Sequence, residues 1–245
     1  MRLDVFLTPG ELSPSDILDR PVVVIDILRA STSIVEALSA GAKSIYPVAS
    51  IEDALRLANT FGRDEVLLCG ERKCLPIEGF DLGNSPREFT RERVAGKTLV
   101  MSTTNGTHMM SAVGGASRVV IGALLNLRAV VDDLVRTEAQ PVLLCSGREK
   151  HFALEDAACA GLMASRLMKA RPGEWKLNDG ALAALALARE FPPDEQLFAS
   201  TAAGRSVAAA GMSEDLPFCA RVDTTDIVPV LHERMITLAQ ASVGS

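Results

Sequence analysis

The sequence predicts an α/β fold with a layered α/β/α architecture, a largely parallel sheet and an internal duplication. Apolar β-branched runs alternate with helix-like segments over short links, and this alternation favours parallel strand pairing. The chain also contains a near repeat, because VLLCGER from Val66 returns as VLLCSGR from Val142, an offset of 76 residues (142 − 66). VVVIDI from Val22 is answered by TLVMST from Thr98. These segments recur in the same order, which chance seldom produces, so we expect two related halves.

In the first half, an initial strand is followed by the order strand, helix, strand, helix, strand. The run VVVIDI is continuous and β-branched, which is typical of a strand covered on both faces. Ser50 is placed to cap a helix whose first turn carries Glu52 and Asp53, as a helix N-terminus prefers. The expected strands are 3–7, 22–27, 44–48 and 65–69, and the expected helices are 31–38 and 51–62.

The second half repeats this order and is followed by a C-terminal segment. Its expected strands begin at Thr98, Arg118 and Pro141, and its helices lie from about Asn105 and over 127–136. A Gly- and Pro-containing stretch over 78–89 is predicted to be an ordered loop. The later expected elements are helices from 153, over 179–190 and over 202–211, strands over 218–222 and 227–231, and a C-terminal helix containing His232.

The bulk composition bounds the class of protein. The chain has 245 residues, 48% of them hydrophobic, and no linker long enough to separate domains, so we expect one domain over 1–245. Within it the two halves would be about 1–90 and 91–170, followed by 171–245. A net charge of −6 without a Lys/Arg run argues against nucleic-acid binding.

Location and cysteine chemistry are bounded in the same way. No apolar stretch approaches the roughly 18 residues of a membrane span, and the first residues lack a signal-peptide layout, so a cytoplasmic location is expected. Five cysteines without a CxxC pair make a zinc site or a disulfide framework improbable. Cys69 and Cys145 end the repeated strands, where we expect buried residues rather than nucleophiles.

Asp26 is the first candidate for chemistry, because it lies in a strand otherwise made of Val, Ile and Leu. A carboxylate there is costly unless it is paired, hydrogen-bonded or bound to a metal. Arg29 follows three residues later, and Ser31 and Thr32 begin a helix, where free backbone N–H groups suit a phosphate. The alternative is an Asp–Arg pair that closes a turn, with Ser31 as the helix cap.

The equivalent segment of the second half carries Thr103, Thr104 and Asn105, followed by a glycine. Their hydroxyl and amide groups and the glycine's close backbone approach favour anion binding, since helix capping would need only one such residue.

Two further segments place an Arg and a Glu just beyond a strand: Glu71 with Arg72, and Arg148 with Glu149. Arginine makes planar bidentate contacts with phosphate, sulfonate or carboxylate oxygens. Because Arg72 and Arg148 are repeat partners, we expect both in one shared pocket. The alternative is an Arg–Glu pair that only fixes each loop.

Acidic and amide side chains elsewhere could hold a hard cation. Asp81 and Asn84 lie in GFDLGNSP among backbone-permissive residues, a layout suited to oxygen ligation or, alternatively, to plain turn chemistry. Glu155 and Asp156 open a helix, where acidic residues often only complement the dipole. The three histidines share no metal spacing, and GxSxG, the Walker pattern and GxGxxG after a strand are all missing.

With these motifs in order, the chain resembles the 2-phosphosulfolactate phosphatase family, which consists of Mg²⁺-dependent acid phosphatases named from coenzyme M biosynthesis. The resemblance rests on IDILRAST, GER, GFDLGNSP, TTNGT and SGREKHFALEDAACAG, and on the tail EDLPFCARVDTTDIVP. It covers nearly the whole chain. GFDLGNSP together with TTNGT is the most specific part, and Lys150-His151 is the one unusual feature, where a small residue is more common.

The resemblance implies hydrolysis of 2-phosphosulfolactate to sulfolactate and phosphate with Mg²⁺ as cofactor. Two alternatives stay open: another small 2-phospho-acid as substrate, or a non-catalytic protein that binds an anionic metabolite. The expected partner is a small anionic phosphorylated substrate, without nucleic acid or membrane, and a homo-oligomer is left open. On the matched motifs the catalytic candidates are Asp26, Arg29, Glu71 and Glu155. The substrate-binding candidates are Ser31, Thr32, Arg72, Asn84, Thr103, Thr104, Asn105 and Arg148, and the metal ligands are Asp26, Asp81 and Asp156.

Overall fold

The fold is described from a computed structural model, which covers residues 1–104 and 112–239. The strands are β1 (Arg2–Phe6), β2 (Pro21–Ile25), β3 (Ser44–Pro47), β4 (Val66–Arg72), β5 (Leu75–Pro76), β6 (Thr98–Ser102), β7 (Arg118–Gly122), β8 (Val142–Cys145), β9 (Lys176–Leu177), β10 (Pro229–His232) and β11 (Met235–Leu238). The helices are α1 (Pro14–Ile17), α2 (Ala30–Ser39), α3 (Ile51–Ala58), α4 (Arg91–Val94), α5 (Leu127–Arg136), α6 (Leu154–Ala170), α7 (Asp179–Glu190), α8 (Glu195–Ser200), α9 (Ala202–Ala209) and α10 (Asp215–Cys219). None of the helices in these ranges is long and apolar enough to cross a membrane.

All these strands form one mixed sheet in the order β5-β4-β6-β3-β11-β10-β7-β2-β8-β1-β9. It contains two parallel groups, β3 with β6 and β4, and β7 with β2, β8, β1 and β9. The hairpin β10–β11 lies between them and pairs antiparallel with β7 on one side and β3 on the other. Because these three successive pairings are antiparallel, the two parallel groups run in opposite directions.

The predicted α/β class and the largely parallel sheet are confirmed, and the internal duplication stays a prediction. Strands from the two sequence halves are interleaved, since β2 lies between β7 and β8 while β6 lies between β3 and β4. A helix predicted from about Asn105 begins outside the described residues.

Two predictions for the C-terminal segment are wrong. Residues 218–222 were expected to be a strand, but they contain the end of α10 and the loop after it, because Leu216 and Cys219 share a buried helical face. A short apolar run does not distinguish helix from strand by periodicity alone. His232 ends strand β10 rather than lying in a helix.

Close packing of α6 on α7 fixes the direction of the helix that carries Glu155 and Asp156. Small buried residues line this face of α6, and a Cβ at Gly161 would overlap the backbone carbonyl of Ala184. Any larger side chain there would push the helices apart. The first turn of α6 is therefore held directly behind the ends of β2 and β8.

Candidate active site

One pocket of about 210 Å³ gathers most of the candidate residues. It lies at the segments that follow β2, β4, β6 and β8, so the carboxyl ends of strands from both parallel groups reach it. Binding at such strand ends is the rule for α/β sheets. The lining residues are Asp26, Leu28, Arg29, Ala30, Glu71, Lys73, Cys74, Asn84, Thr103, Thr104, Gly147, Arg148, Glu149, Glu155, Asp156, Ala203 and Ser206.

Asp26 is buried where β2 ends and is held by the start of α2. Its Oδ1 accepts a hydrogen bond from the backbone N–H of Ala30 at 3.2 Å, and its carbonyl oxygen accepts one from the N–H of Ser31 at 2.9 Å. The Ser31 hydroxyl accepts the N–H of Asp26 in return at 3.0 Å. Asp26 therefore occupies two amide groups of the helix start that the sequence suggested for phosphate.

Asp156 joins the loops after β2 and β8. Its Oδ1 accepts the N–H of Ile27 at 2.8 Å, and its Oδ2 accepts the N–H of Gly147 at 3.1 Å. Burial raises the pKa of this carboxyl well above its ordinary value, and the charges of Asp26 and Glu155 raise it further. Three buried carboxylates thus repel one another at this side of the pocket.

Glu155 lies beside Asp156 and is also buried. Burial is the main reason why its pKa is raised, and the charge of Asp26 adds to the effect, while hydrogen bonds and the Arg148 guanidinium oppose it. A carboxyl group with a raised pKa in a cleft is suited to hold a proton and release it during a reaction.

Glu71 joins two loops on the other side of the pocket. Its Oε1 accepts the N–H of Thr104 at 2.8 Å, and its Oε2 accepts the N–H of Cys74 at 2.8 Å. Glu71 therefore fixes the segment after β6 against the turn after β4, as Asp156 does for the other pair of strands.

Arg29 lines the pocket, but its guanidinium is already engaged. It pairs with the Asp215 carboxylate at 2.7 Å, with both side chains at most 2% exposed, and it donates to the carbonyl oxygen of Cys74 at 2.8 Å. Ser85 donates its hydroxyl to the other oxygen of Asp215 at 2.6 Å. The acidic partner of Arg29 is thus Asp215 of α10 and not Asp26.

Arg148 contributes a cation from the loop after β8. Its guanidinium donates to the Ser206 hydroxyl of α9 at 2.9 Å, which orients it without neutralising its charge. Its backbone N–H and carbonyl both bond with His151, which closes a two-residue turn.

Four predicted residues are placed outside the lining. Ser31 and Thr32 point their hydroxyls at backbone carbonyls of Val24 and Ile27, where they stabilise the strand-to-helix junction. Arg72 donates to its own strand and to Ser102, so only Arg148 of the expected arginine pair reaches the pocket.

Asp81 is the fourth, and the structure separates this expected metal ligand from Asp26 and Asp156. It is exposed, and its carboxylate accepts the N–H of Leu68, which fixes the loop to β4. Asn105 lies outside the described residues.

Asn84 lies in the pocket wall and carries an orphaned polar atom. Its side-chain Oδ1 is buried without a hydrogen-bond partner among the described residues, although its carbonyl oxygen accepts the Ser33 hydroxyl at 2.8 Å. Such a group costs free energy unless a ligand or water completes it.

The structure adds residues that the sequence did not single out. Lys73 and Cys74 reach the pocket from the turn after β4, where only their position next to Arg72 could have indicated them. Asp215 lies in the tail motif EDLPFCARVDTTDIVP, but nothing in that motif indicated its role, and Ser206 lies in no motif. Cys69 and Cys145 are buried in their strands as expected, and burial raises the pKa of both thiols.

Comparison with known proteins supplies the family. A model of the 2-phosphosulpholactate phosphatase family matches residues 6–234. A probable 2-phosphosulfolactate phosphatase of Caldanaerobacter subterraneus is 37% identical over 243 residues, covering 98% of this chain and 99% of its own. Proteins of the same name are 39% identical in Carboxydothermus hydrogenoformans, covering 95% and 94% of the two chains, and 37% identical in Gloeothece citriformis, covering 95% and 97%. The chain therefore belongs to the 2-phosphosulfolactate phosphatase family.

Proposed function

We propose that this protein is a phosphatase that hydrolyses 2-phosphosulfolactate to sulfolactate and inorganic phosphate, with Mg²⁺ as its cofactor. The observation that carries the proposal is the pocket, whose lining combines four buried carboxylates with Lys73 and Arg148. The names of the relatives support this choice of substrate. A cytoplasmic role in coenzyme M biosynthesis rests on the family resemblance alone.

The donor set of the pocket fits a hard divalent cation by its chemistry. The negative charges of Asp26 and Asp156 repel each other, which makes both carboxylates more costly to bury. A bound cation would relieve that repulsion. Among residues 1–104 and 112–239, no three His, Cys, Asp or Glu side chains form a ready ligand cluster. Mg²⁺ commonly uses one or two carboxylates, for which Asp26 and Asp156 are the candidates, and takes its other ligands from substrate phosphate and water. When bound, the ion would neutralise phosphoryl charge and lower the pKa of a coordinated water.

The chain's own residues bind and orient the substrate. Arg148 presents a planar guanidinium, anchored by Ser206, that can take two oxygens of a phosphate, sulfonate or carboxylate. Thr103 and Thr104 line the opposite wall, where Glu71 fixes the backbone of Thr104. A substrate held between these two walls would keep its phosphoryl group in one orientation, which lowers the entropic part of the barrier.

Glu155 is the candidate general acid. Hydrolysis forms a bond between phosphorus and the oxygen of water and breaks the bond between phosphorus and the C2 oxygen of the substrate. The departing oxygen needs a proton, and the raised pKa of Glu155 favours the protonated form of this carboxyl, which can donate it.

Phosphate release from 2-phosphosulfolactate and a panel of 2-phospho-acids, with and without Mg²⁺, tests the proposal directly. Asp26→Asn should lower kcat at least about 10²-fold, in the range that loss of one key electrostatic group causes. Asp81→Asn is the matched control, because this aspartate lies outside the pocket and should leave kcat within about twofold of wild type. Release no faster than background across the panel would reject the phosphatase, and equal losses in both variants would reject the role of Asp26.

A further inference from the structure

The turn between β4 and β5 has an unusual composition for its geometry. Arg72 pairs with Leu75, so Lys73 and Cys74 alone form the turn, and their φ angles are +52° and +67°. Two positive φ angles in a two-residue hairpin are typical of a type I′ turn, which favours Asn-Gly. Left-handed backbone is costly for other residues and is held only where the surroundings enforce it.

Two pocket residues hold this turn through the backbone N–H and carbonyl groups of Cys74. The N–H of Cys74 donates to Glu71, and the carbonyl oxygen of Cys74 accepts from Arg29, each at 2.8 Å. The backbone position of Lys73 is therefore set by side chains of the candidate active site.

Lys73 is exposed, and its ammonium group has no ion pair with any residue in the described ranges. Arg29 differs from it, because Arg29 is paired with Asp215, whereas Arg148 is anchored by a neutral hydroxyl. Among the described lining residues, Lys73 and Arg148 are thus the two positive charges without an ion pair.

We propose that Lys73 determines substrate specificity by contacting an anionic group other than the phosphoryl group, so that the pocket prefers phosphorylated acids over plain phosphate esters. The inference rests on the proposed function. The inference requires a substrate with two anionic groups besides phosphate, one to contact Arg148 and one to contact Lys73. The ammonium lies on a flexible four-carbon stem and reaches an anion as a point charge, so sulfonate and carboxylate both suit it.

The loop after β8 offers a matched control. Glu149 and Lys150 form a second two-residue turn with φ angles of +50° and +70°, directly after Arg148. Lys150 is exposed and charged like Lys73, but it does not line the pocket. Lys150→Asn therefore removes the same charge from the same kind of backbone without touching the site.

The test compares Lys73→Asn, Lys73→Arg and Lys150→Asn on 2-phosphosulfolactate and on ethyl phosphate. Asparagine suits left-handed backbone, so the turn keeps its shape when the charge is lost. Lys73→Asn should raise KM for 2-phosphosulfolactate about 3- to 10-fold, as expected for one exposed ionic contact, with kcat within about twofold. Ethyl phosphate should be unaffected, Lys73→Arg should restore KM, and the difference should shrink between about 0.05 M and 0.5 M salt.

A KM for Lys73→Asn within about twofold of wild type would overturn the inference. Equal effects of Lys73→Asn and Lys150→Asn, or equal losses on both substrates, would overturn it as well. Calorimetric binding of sulfolactate separates these outcomes from a failed phosphatase, because it requires no turnover. Unchanged sulfolactate affinity in Lys73→Asn refutes the contact whether or not the wild type hydrolyses the phosphate ester.

Discussion

Removal of the acidic partner of Arg29 should be among the most destabilising single changes in this protein. Asp215→Asn keeps the shape of the side chain and an oxygen for the Ser85 hydroxyl, but it leaves the Arg29 guanidinium buried without a counter-charge. Breaking a buried pair from one side costs roughly 3–5 kcal/mol, a large fraction of a typical free energy of unfolding. For a chain of this length each kcal/mol lowers Tm by about 2–4 °C, so a fall of about 6–20 °C is expected.

Asp226→Asn is the control, because Asp226 pairs with Arg128 in the same chemistry but both side chains are more than half exposed. Surface pairs contribute at most about 1 kcal/mol, so Tm should fall by less than about 4 °C. Urea unfolding of both variants, of Arg29→Met and of the double variant Arg29→Met/Asp215→Asn gives the coupling free energy directly. The double variant should recover much of the loss, since no buried charge remains. If Asp215→Asn lowers stability no more than Asp226→Asn, the account of this pair is refuted.

Three further predictions concern the pocket. Arg148→Ala should raise KM for 2-phosphosulfolactate roughly 10- to 150-fold, because a hydrogen bond to a charged group is lost. Steady-state kinetics that show an equal rise for ethyl phosphate would contradict the role of Arg148 in substrate binding. Gly147→Ala should destabilise the fold by at least about 1–2 kcal/mol, because this glycine has a φ of +65° and a Cβ would overlap the carbonyl oxygen of His151; an unchanged urea midpoint would contradict this. When Mg²⁺ is chelated, folding takes up protons, because burial raises the pKa of Asp156. The contribution of Asp156 to stability is therefore fully present below the ordinary carboxyl pKa and is lost as pH rises through the raised pKa. Thermal melts across pH should show this decline in wild type and a flatter profile in Asp156→Asn, and identical slopes would count against it.

The sequence located the parallel strands well because their signal is local. Continuous β-branched runs such as Val22–Ile25 need two covered faces, and short links to helices leave little choice but parallel pairing. The antiparallel hairpin β10–β11 could not be placed in this way, because its position between β3 and β7 depends on edges that only the assembled sheet creates. The end of α10 was mistaken for a strand for a similar reason, since five residues are too few to show a helical period.

The residues of the candidate site likewise differ in whether local sequence was enough to predict their roles. Asp26 was found because a carboxylate in an apolar strand is anomalous in the sequence itself, and it does line the pocket. Asp81 lies in a more conspicuous motif, but its carboxylate accepts a backbone N–H of β4 instead of facing the pocket. Asp215 lies in the tail motif, but its role could not be predicted, because that role depends on Arg29, which is 186 residues away in the chain. The role of a side chain can be predicted from the sequence when it depends on neighbouring residues, but not when it depends on a partner far along the chain.

The central hairpin has a consequence for biosynthesis. Strands β10 and β11 are translated after all the other described strands, and yet they complete the middle of the sheet. Until they leave the ribosome, β3 and β7 each expose a row of unpaired backbone groups, which is the kind of edge that recruits other chains into aggregates. A nascent chain stalled before residue 229 should therefore need chaperone protection, whereas loss of a peripheral strand such as β9 would leave no gap inside the sheet.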